Sequence, residues 1–409
     1  MNPNENQIND DRKMIWYSYY EVMQMTTIYD YLDWRGDLPF TTDPFNEVDN
    51  TILSLLAYVH YDGIPNIETT FQPLHQVRDE FYKLHTHEEI AEVETYNGVN
   101  ARLLDKVCDT KRFKDIKIGY YISYSDKDFV VQFSAVTFKL DDMIYISYRG
   151  TDNTFIGWKE DFYLSYTTGT NGQKAAVAYI NQLFDKETLP IHVGGHSKGG
   201  NLAIYAACHC KDSIRNHIKK VWSNDGPGFQ GEMLQSPAYQ AIQDKITLII
   251  PDSSIIGILM NNVEPKIIKS TVNNVQQHDA LTWIVKRNHF EKAESLSANS
   301  LFLNKAVDKF LENLSEDEAK IAIDAIFSIL ESTDAESFSK LKEGGFDSLK
   351  DIISALQKLP PEKSSVILRL IGTMISDSGN ILANDYMSKV QEQFNKVKDS
   401  FTKKTKGEI

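Results

Sequence analysis

The chain has 409 residues, 42% of them hydrophobic and 24% charged, which is an ordinary globular composition with enough apolar residues for a large core. This length suggests two domains or one enlarged domain. The formal net charge of −14 argues against a nucleic-acid partner, because the neutralisation of phosphates requires clustered Lys and Arg.

No segment is typical of export, membrane insertion or metal binding. Residues 1–13 are polar and lack the apolar centre of a secretory signal, and no apolar stretch approaches the roughly 20 residues that span a bilayer. Of the three cysteines, Cys208 and Cys210 stand too close together for an easy disulfide, which favours a reducing, cytoplasmic location. No second ligand pair stands at zinc-site spacing, so we expect neither a metal nor another cofactor.

Helical patterns come first along the chain, and strands follow. Residues 14–31 and 79–106 predict helices, and between them Pro44 to Asn50 offers capping residues before apolar positions at helical spacing. Three strands, at 120–125, 129–138 and 143–148, precede a helix at 173–184. Further strands follow at 191–193, 219–223 and 246–250. This alternation predicts a mainly parallel sheet with helices on its faces.

The strand signal disappears after residue 290. A capping box, Ser315 to Glu318, opens the first of several amphipathic helices. We therefore expect one domain over residues 1–290, with N-terminal helices, and a helical C-terminal region over residues 291–409. The basic tail at 403–406 is expected to be a solvated end, with contact to an anionic membrane surface as the alternative.

The most informative stretch is Gly195-His196-Ser197-Lys198-Gly199-Gly200, which lies between a short strand and an Ala-rich helix. It matches the G-x-S-x-G pattern, in which a serine on a tight turn projects its hydroxyl above the end of a parallel sheet. Because the strand and the helix stand where that pattern requires them, Ser197 is predicted to be a nucleophile.

A serine nucleophile needs a histidine base, and the base needs an acid that fixes its tautomer. Among the histidines after Ser197, His209 and His217 fall in or just after the nucleophile helix, and His289 follows a polar surface-like stretch. His278 lies in a polar loop just before an apolar run and is the preferred base.

Two aspartates could orient the base. Asp252 follows the strand at 246–250, and Asp225 follows the strand at 219–223, so both stand at strand carboxyl ends, where the sites of open α/β sheets assemble. Asp225 lies in an Asp-Gly-Pro-Gly stretch that is equally typical of a plain turn. Asp252 is therefore the preferred acid, and Asp225 is the alternative acid.

Acyl transfer also needs donors for the oxyanion, usually the backbone N–H after the nucleophile and one from an upstream loop. Lys198 would supply the first. Thr151, which follows the strand at 143–148, would supply a second N–H and a hydroxyl.

These residues resemble the class 3 lipases, a branch of the α/β-hydrolases. The resembling segments are Tyr148-Arg149-Gly150-Thr151 with Trp158 and Asp161, the Gly195 to Gly200 elbow, Asp252, and His278 ahead of Trp283. The chain is more closely similar to an uncharacterised bacterial family of lipase-like proteins, through the segments Trp34-Arg35-Gly36-Asp37 and Pro44-Phe45-Asn46-Glu47-Val48-Asp49. The resemblance covers about Thr27 to Val285.

The resemblance implies an α/β-hydrolase fold and a serine esterase or lipase that acts on a small-molecule ester or lipid. It also implies that residues 153–168 correspond to the lipase lid. Lys198 departs from the family pattern, in which an apolar residue follows the serine, so its cation either favours an anionic acyl group or forms a salt bridge. The alternatives are a hydrolase-fold interaction module that has lost catalysis, or a thioesterase or peptidase with the same triad. The oligomeric state cannot be read from the sequence.

Overall fold

The computed structural model describes residues 26–92, 96–152, 155–164, 167, 169–260, 262–298 and 300–301. Most of the helix predicted over 14–31 and nearly all of the C-terminal region predicted over 291–409, with its basic tail, lie outside these residues. The domain boundary after residue 290 therefore stays a prediction. Within the described residues, no helix combines the length and the apolar character that crossing a membrane requires.

Helices and strands alternate along most of the described chain. The helices are α1 (Ile28–Arg35), α2 (Glu47–Leu56), α3 (Leu74–Leu84), α4 (His87–Glu92), α5 (Tyr96–Cys108), α6 (Phe155–Leu164), α7 (Asn171–Leu183), α8 (Lys198–His209), α9 (Asp212–Arg215), α10 (Gly231–Gln235) and α11 (Pro237–Gln240). The strands are β1 (Gln72–Pro73), β2 (Lys117–Asp126), β3 (Val131–Lys139), β4 (Ile144–Tyr148), β5 (Ile191–His196), β6 (Ile218–Asn224), β7 (Ile246–Pro251), β8 (Lys266–Ile268), β9 (Val285–Lys286) and β10 (His289–Phe290).

The central sheet contains β1 to β8 in sequence order. Strands β1 to β4 pair antiparallel, and β4 to β8 pair in parallel. The last two strands, β9 and β10, form a separate antiparallel pair. The predicted mixed α/β architecture with a mostly parallel sheet is confirmed, and the carboxyl ends of β4, β5, β6 and β7 meet along one edge.

Both faces of the sheet are covered, so strands such as β4 are buried along their whole length. Tyr145 and Ser147 face α2, where the Ser147 hydroxyl donates to the Leu53 carbonyl. Ile146 and Tyr148 face the opposite layer, which contains α7 and α8. A strand buried on both sides needs a nearly continuous apolar run rather than alternation, and in β4 only Ser147 interrupts such a run.

Helix α2 begins where the sequence predicts capping residues. The Asn46 side chain accepts hydrogen bonds from the N–H groups of Val48 and Asp49, and the Asp49 carboxylate accepts the N–H of Asn46, which completes a capping box. One turn further on, the Asn50 side-chain amide donates to the Asn224 side chain at 2.8 Å. This buried bond ties α2 to the carboxyl end of β6.

The predicted strands match the observed ones closely, but the helix α6 was not predicted. It occupies part of the segment that the resemblance equates with the lipase lid. Its polar residues Glu160 and Asp161 face inward, toward β3 and the loop after β4. A helix that turns carboxylates toward the protein lacks the apolar stripe by which a helix is recognised in a sequence.

Candidate active site

Ser197 occupies the turn between β5 and α8 in a backbone conformation that side-chain-bearing residues seldom adopt. Its φ is 58° and its ψ is −133°. A Cβ on Gly199 would lie 2.1 Å from the Tyr148 carbonyl oxygen, and one on Gly195 would lie 2.4 Å from Gly199. The two glycines are therefore steric requirements of the turn, and the N-terminus of α8 points its partial positive charge at Ser197.

The loop after β4 passes against this turn. A Cβ on Gly150 would lie 2.6 Å from the His196 carbonyl oxygen and 3.1 Å from the Ser197 Cβ. Thr151, the next residue, donates its hydroxyl to the Asp161 carboxylate at 2.5 Å. The structure thus brings the Thr151 segment to Ser197 as expected, but the hydroxyl predicted to serve an oxyanion is directed to Asp161.

His278 lies at the same edge, and its ring is held by Asp225. Its Nδ1–H donates to Asp225 Oδ2 at 2.7 Å. The Asp225 carboxylate is fully buried, and its other oxygen accepts the Ser254 hydroxyl at 2.5 Å and the Gly257 N–H at 3.2 Å. Three donors therefore fix a single orientation of the carboxylate. The His278 ring is bound to it through Nδ1.

The preference for Asp252 over Asp225 as the partner of His278 is corrected by this contact. Asp252 follows β7, and its carboxylate accepts the Ser253 hydroxyl at 3.3 Å; the structure describes no hydrogen bond between Asp252 and His278. Asp225 follows β6, the strand that pairs with the nucleophile strand β5. Its φ of 52° bends the chain so that its side chain meets the His278 ring.

His196 is a site residue that the sequence argument missed, although it stands inside the elbow motif. Its ring is buried, and its Nε2–H donates to the main-chain carbonyl of His278 at 2.7 Å. Its Nδ1 lies 3.2 Å from the Tyr58 hydroxyl. The rings of His196 and His278 are 4.6 Å apart between centroids. Burial holds the pKa of His196 well below its usual value, so it is neutral and acts through its hydrogen bonds.

Lys198 does not lie at the edge of a pocket. Its side chain is 1% exposed, and its ammonium group donates to Glu160 Oε2 at 3.1 Å, to the Gln132 carbonyl at 3.2 Å and to Gln132 Oε1 at 3.3 Å. Of the two roles that the sequence left open, the structure therefore describes the salt bridge. The cation is directed into the protein, which contradicts its proposed use in binding an anionic acyl group.

The second inward-facing carboxylate, Asp161, has an altered acidity. Burial raises the pKa of Asp161 to about 6, although Lys198 and the Thr151 hydroxyl oppose this shift. The remaining histidine considered as a base, His289, pairs with Lys286 in the β9 and β10 ribbon and is not part of this cluster. The structure thus places Ser197, His278, Asp225, Thr151 and Lys198 along one edge of the sheet. Asp252 follows β7 at the same edge, but it makes no described hydrogen bond to His278.

Comparisons with known proteins give one family and a distant structural likeness. A family model described as Mbeg1-like matches residues 107–328, more than half of the chain. A search of curated proteins found no match. Among solved structures, the M37 lipase is 15% identical, with a TM-score of 0.32 over 52% of this chain and 68% of the other. A Rhizomucor miehei lipase propeptide complex is also 15% identical, with a TM-score of 0.31 over 54% and 67%.

Proposed function

The chain belongs to the Mbeg1-like family, and we propose that it is an α/β-hydrolase that cleaves carboxylic esters through a Ser197, His278 and Asp225 triad. One observation carries the proposal. A serine held at a φ of 58° on a glycine-lined turn shares its sheet edge with a histidine whose Nδ1–H is bound by a buried carboxylate. Backbone strain and a buried carboxylate both cost stability, and their occurrence together at one strand edge is typical of a catalytic site.

In this mechanism Ser197 Oγ attacks the ester carbonyl carbon, and His278 Nε2 takes the hydroxyl proton. Asp225 keeps the other proton on Nδ1 and stabilises the imidazolium that forms. The carbonyl oxygen becomes an oxyanion that accepts hydrogen bonds from the main-chain N–H groups of Lys198 and Thr151. His278 then protonates the leaving alcohol, and an acyl-enzyme remains on Ser197.

Water completes the cycle. His278 Nε2 takes a proton from the water as it attacks the acyl carbon, the second oxyanion collapses, and the carboxylic acid leaves as Ser197 recovers its hydrogen. The substrate is a small-molecule ester or a lipid, and no cofactor takes part. We retain the cytoplasmic location suggested by the cysteines as part of the proposal; Cys108, Cys208 and Cys210 are all free and buried.

The rival in which the fold is an interaction module without catalysis rests on Lys198 and on the long helical C-terminal region, and nearly all of that region lies outside the described residues. The Lys198 ammonium group is accounted for by Glu160 and Gln132, so it does not obstruct Ser197 with an unpaired charge. A thioesterase or a peptidase would use the same three residues and differs only in the leaving group.

Hydrolysis of short-chain p-nitrophenyl esters tests the proposal. Wild-type protein should hydrolyse them, and Ser197→Ala should reduce the rate to the background level because the substitution removes the proposed nucleophile. Ser213→Ala, which removes an exposed hydroxyl bonded to Asp185, is the matched control and should leave the rate unchanged. Activity that survives Ser197→Ala would refute the proposal, and thioester and peptide substrates in the same assay separate the leaving groups.

A further inference from the structure

The Lys198 and Glu160 side chains form an ion pair that is closed off from solvent. They are 1% and 0% exposed, and Glu160 also accepts the N–H groups of Gln132 at 3.1 Å and Gly172 at 2.6 Å. Taking two charges out of water is expensive, and replacing such a pair by apolar side chains is often neutral or stabilising. Stability alone therefore does not explain why a lysine and a glutamate occupy these positions.

The pair connects two segments that the proposed mechanism uses separately. Lys198 provides the main-chain N–H that follows Ser197, whereas Glu160 lies in α6 beside Asp161. Asp161 in turn binds the hydroxyl of Thr151, the residue that provides the other oxyanion donor. The ammonium group of Lys198 binds Glu160, and the neighbouring residue Asp161 binds Thr151. The two oxyanion donors, the N–H groups of Lys198 and Thr151, are therefore connected through these two adjacent residues of α6.

Packing around α6 supports the same connection. A Cβ on Gly157 would lie 2.5 Å from Gln132 Oε1 and 2.7 Å from the Thr151 Cγ2 atom. Gln132 Oε1 is also one of the three acceptors of the Lys198 ammonium group. Helix α6 is therefore fitted against Thr151 and Gln132 without space for even one methyl group, and the ion pair holds it there.

Resting on the proposed function, we infer that Lys198 and Glu160 are positioning residues, whose ion pair sets the distance between the two oxyanion donors by fixing α6 between them. The reacting atoms are not touched by either side chain. The pair acts through Asp161 on Thr151 and through the first turn of α8 on the N–H of Lys198. It gives the Lys198 side chain a role that is independent of substrate charge.

Four variants test this inference: Lys198→Met, Glu160→Gln, the double variant that carries both changes, and Lys198→Arg. Rates are referred to the number of sites titrated by a fluorophosphonate probe, so that unfolded molecules are not counted. Both single variants should lower kcat for a p-nitrophenyl ester by about tenfold or more while KM stays within about threefold, because oxyanion donors act on the transition state. Lys198→Arg keeps the cation and should retain most of kcat.

The double variant separates positioning from stability. The double variant buries no uncompensated charge, so its Tm should exceed that of both single variants. It also lacks the Lys198–Glu160 ion pair, so its kcat should stay low. A buried pair elsewhere, Arg112 with Asp49, provides the control: Asp49→Asn should lower Tm and leave kcat per titrated site unchanged.

Two results would overturn the inference while leaving the proposed function intact. One is an unchanged kcat per titrated site in both single variants, and the other is a kcat that recovers together with Tm in the double variant. A wild-type protein that takes no probe and hydrolyses no ester would instead contradict the proposed function, and this inference with it.

Discussion

Two regions of the molecule, the surroundings of Arg112 and those of Arg149, differ in how completely they satisfy a buried arginine. In the layer of N-terminal helices, Arg112 donates to both oxygens of Asp49 and to the carbonyls of Leu38, Asp43 and Pro44, so every nitrogen of its guanidinium group has an acceptor. At the catalytic edge, Arg149 Nε and Nη1 and Asp161 Oδ1 are buried without a hydrogen-bond partner. Ser197 and Asp225, which both have a positive φ, also lie at this edge.

This difference in hydrogen bonding distinguishes polar groups that stabilise the fold from polar groups that remain available for a reaction. Fully satisfied groups such as Arg112 have no remaining capacity for a ligand, whereas unsatisfied groups store free energy that binding or catalysis can release. Substitutions in the first region should therefore affect stability, and substitutions in the second should affect turnover. The predictions below test that division, starting with the largest expected effect.

Asp225→Asn should lower kcat by about 10⁴, with little change in KM. The amide cannot hold the proton on His278 Nδ1 in the way that the carboxylate does, and a comparable loss follows the equivalent change in the serine-protease triad. Steady-state ester hydrolysis is the measurement. Asp252→Asn is the matched control and should stay within about threefold of the wild-type rate, since Asp252 makes no hydrogen bond to His278. The reverse pattern would restore Asp252 as the acid.

Arg112→Met should lower the free energy of unfolding by roughly 3–5 kcal/mol, because it leaves the buried Asp49 carboxylate without its cation. Urea denaturation followed by circular dichroism measures the loss. Lys211→Met, which breaks an exposed pair with Asp185, should leave the free energy of unfolding nearly unchanged, because solvent screens that pair. A clear loss of kcat per folded molecule in Arg112→Met would contradict the claim that substitutions in the first region affect stability and not turnover.

His196→Leu should lower kcat by about 10 to 100-fold. The substitution removes the N–H that holds the main-chain carbonyl of His278, and small displacements of a catalytic group are costly. The Tyr58→Phe variant keeps the imidazole and removes only the hydroxyl near its Nδ1, so a smaller loss is expected. Comparison of kcat with KM for the two variants checks this order. Equal rates for His196→Leu and wild type would show that the hydrogen bond from His196 to the His278 carbonyl does not affect turnover.

Asp161→Asn should change the pH dependence of stability. Because burial raises the pKa of Asp161 to about 6, the folded protein binds more protons than the unfolded chain between about pH 4 and about pH 6. The wild type therefore loses stability through Asp161 as the pH rises through this window, and the variant does not. The Tm of the variant minus that of the wild type should increase from about pH 4 to about pH 7, and a constant difference would contradict the raised pKa.

Local sequence signals predicted much of the sheet and the turn that carries Ser197. The apolar run at 191–193 became β5, and the elbow could be recognised because its glycines stand at fixed positions on either side of Ser197. The Tyr148 carbonyl that makes Gly199 a steric requirement lies far away along the chain and could not be read from the motif. His278 was preferred by elimination among few histidines, and the structure places it against Asp225.

The remaining features depend on which strands are neighbours, and a sequence without an alignment does not contain that information. Asp225 was set aside as a turn residue because its stretch is a good turn sequence; only the pairing of β6 with β5 and a φ of 52° bring it to His278. Glu160 lies far from Lys198 along the chain, so the salt bridge that neutralises Lys198 could be named only as one of two roles.

Mapping of a fluorophosphonate adduct by mass spectrometry tests the central claim most directly, because covalent capture requires a serine that is activated by its base. The account predicts a single adduct on Ser197 in the wild type, labelling at a similar rate in Asp252→Asn, and much slower labelling in Asp225→Asn. Absence of an adduct on Ser197 in folded wild-type protein, or equal labelling rates for Asp225→Asn and the wild type, would contradict it.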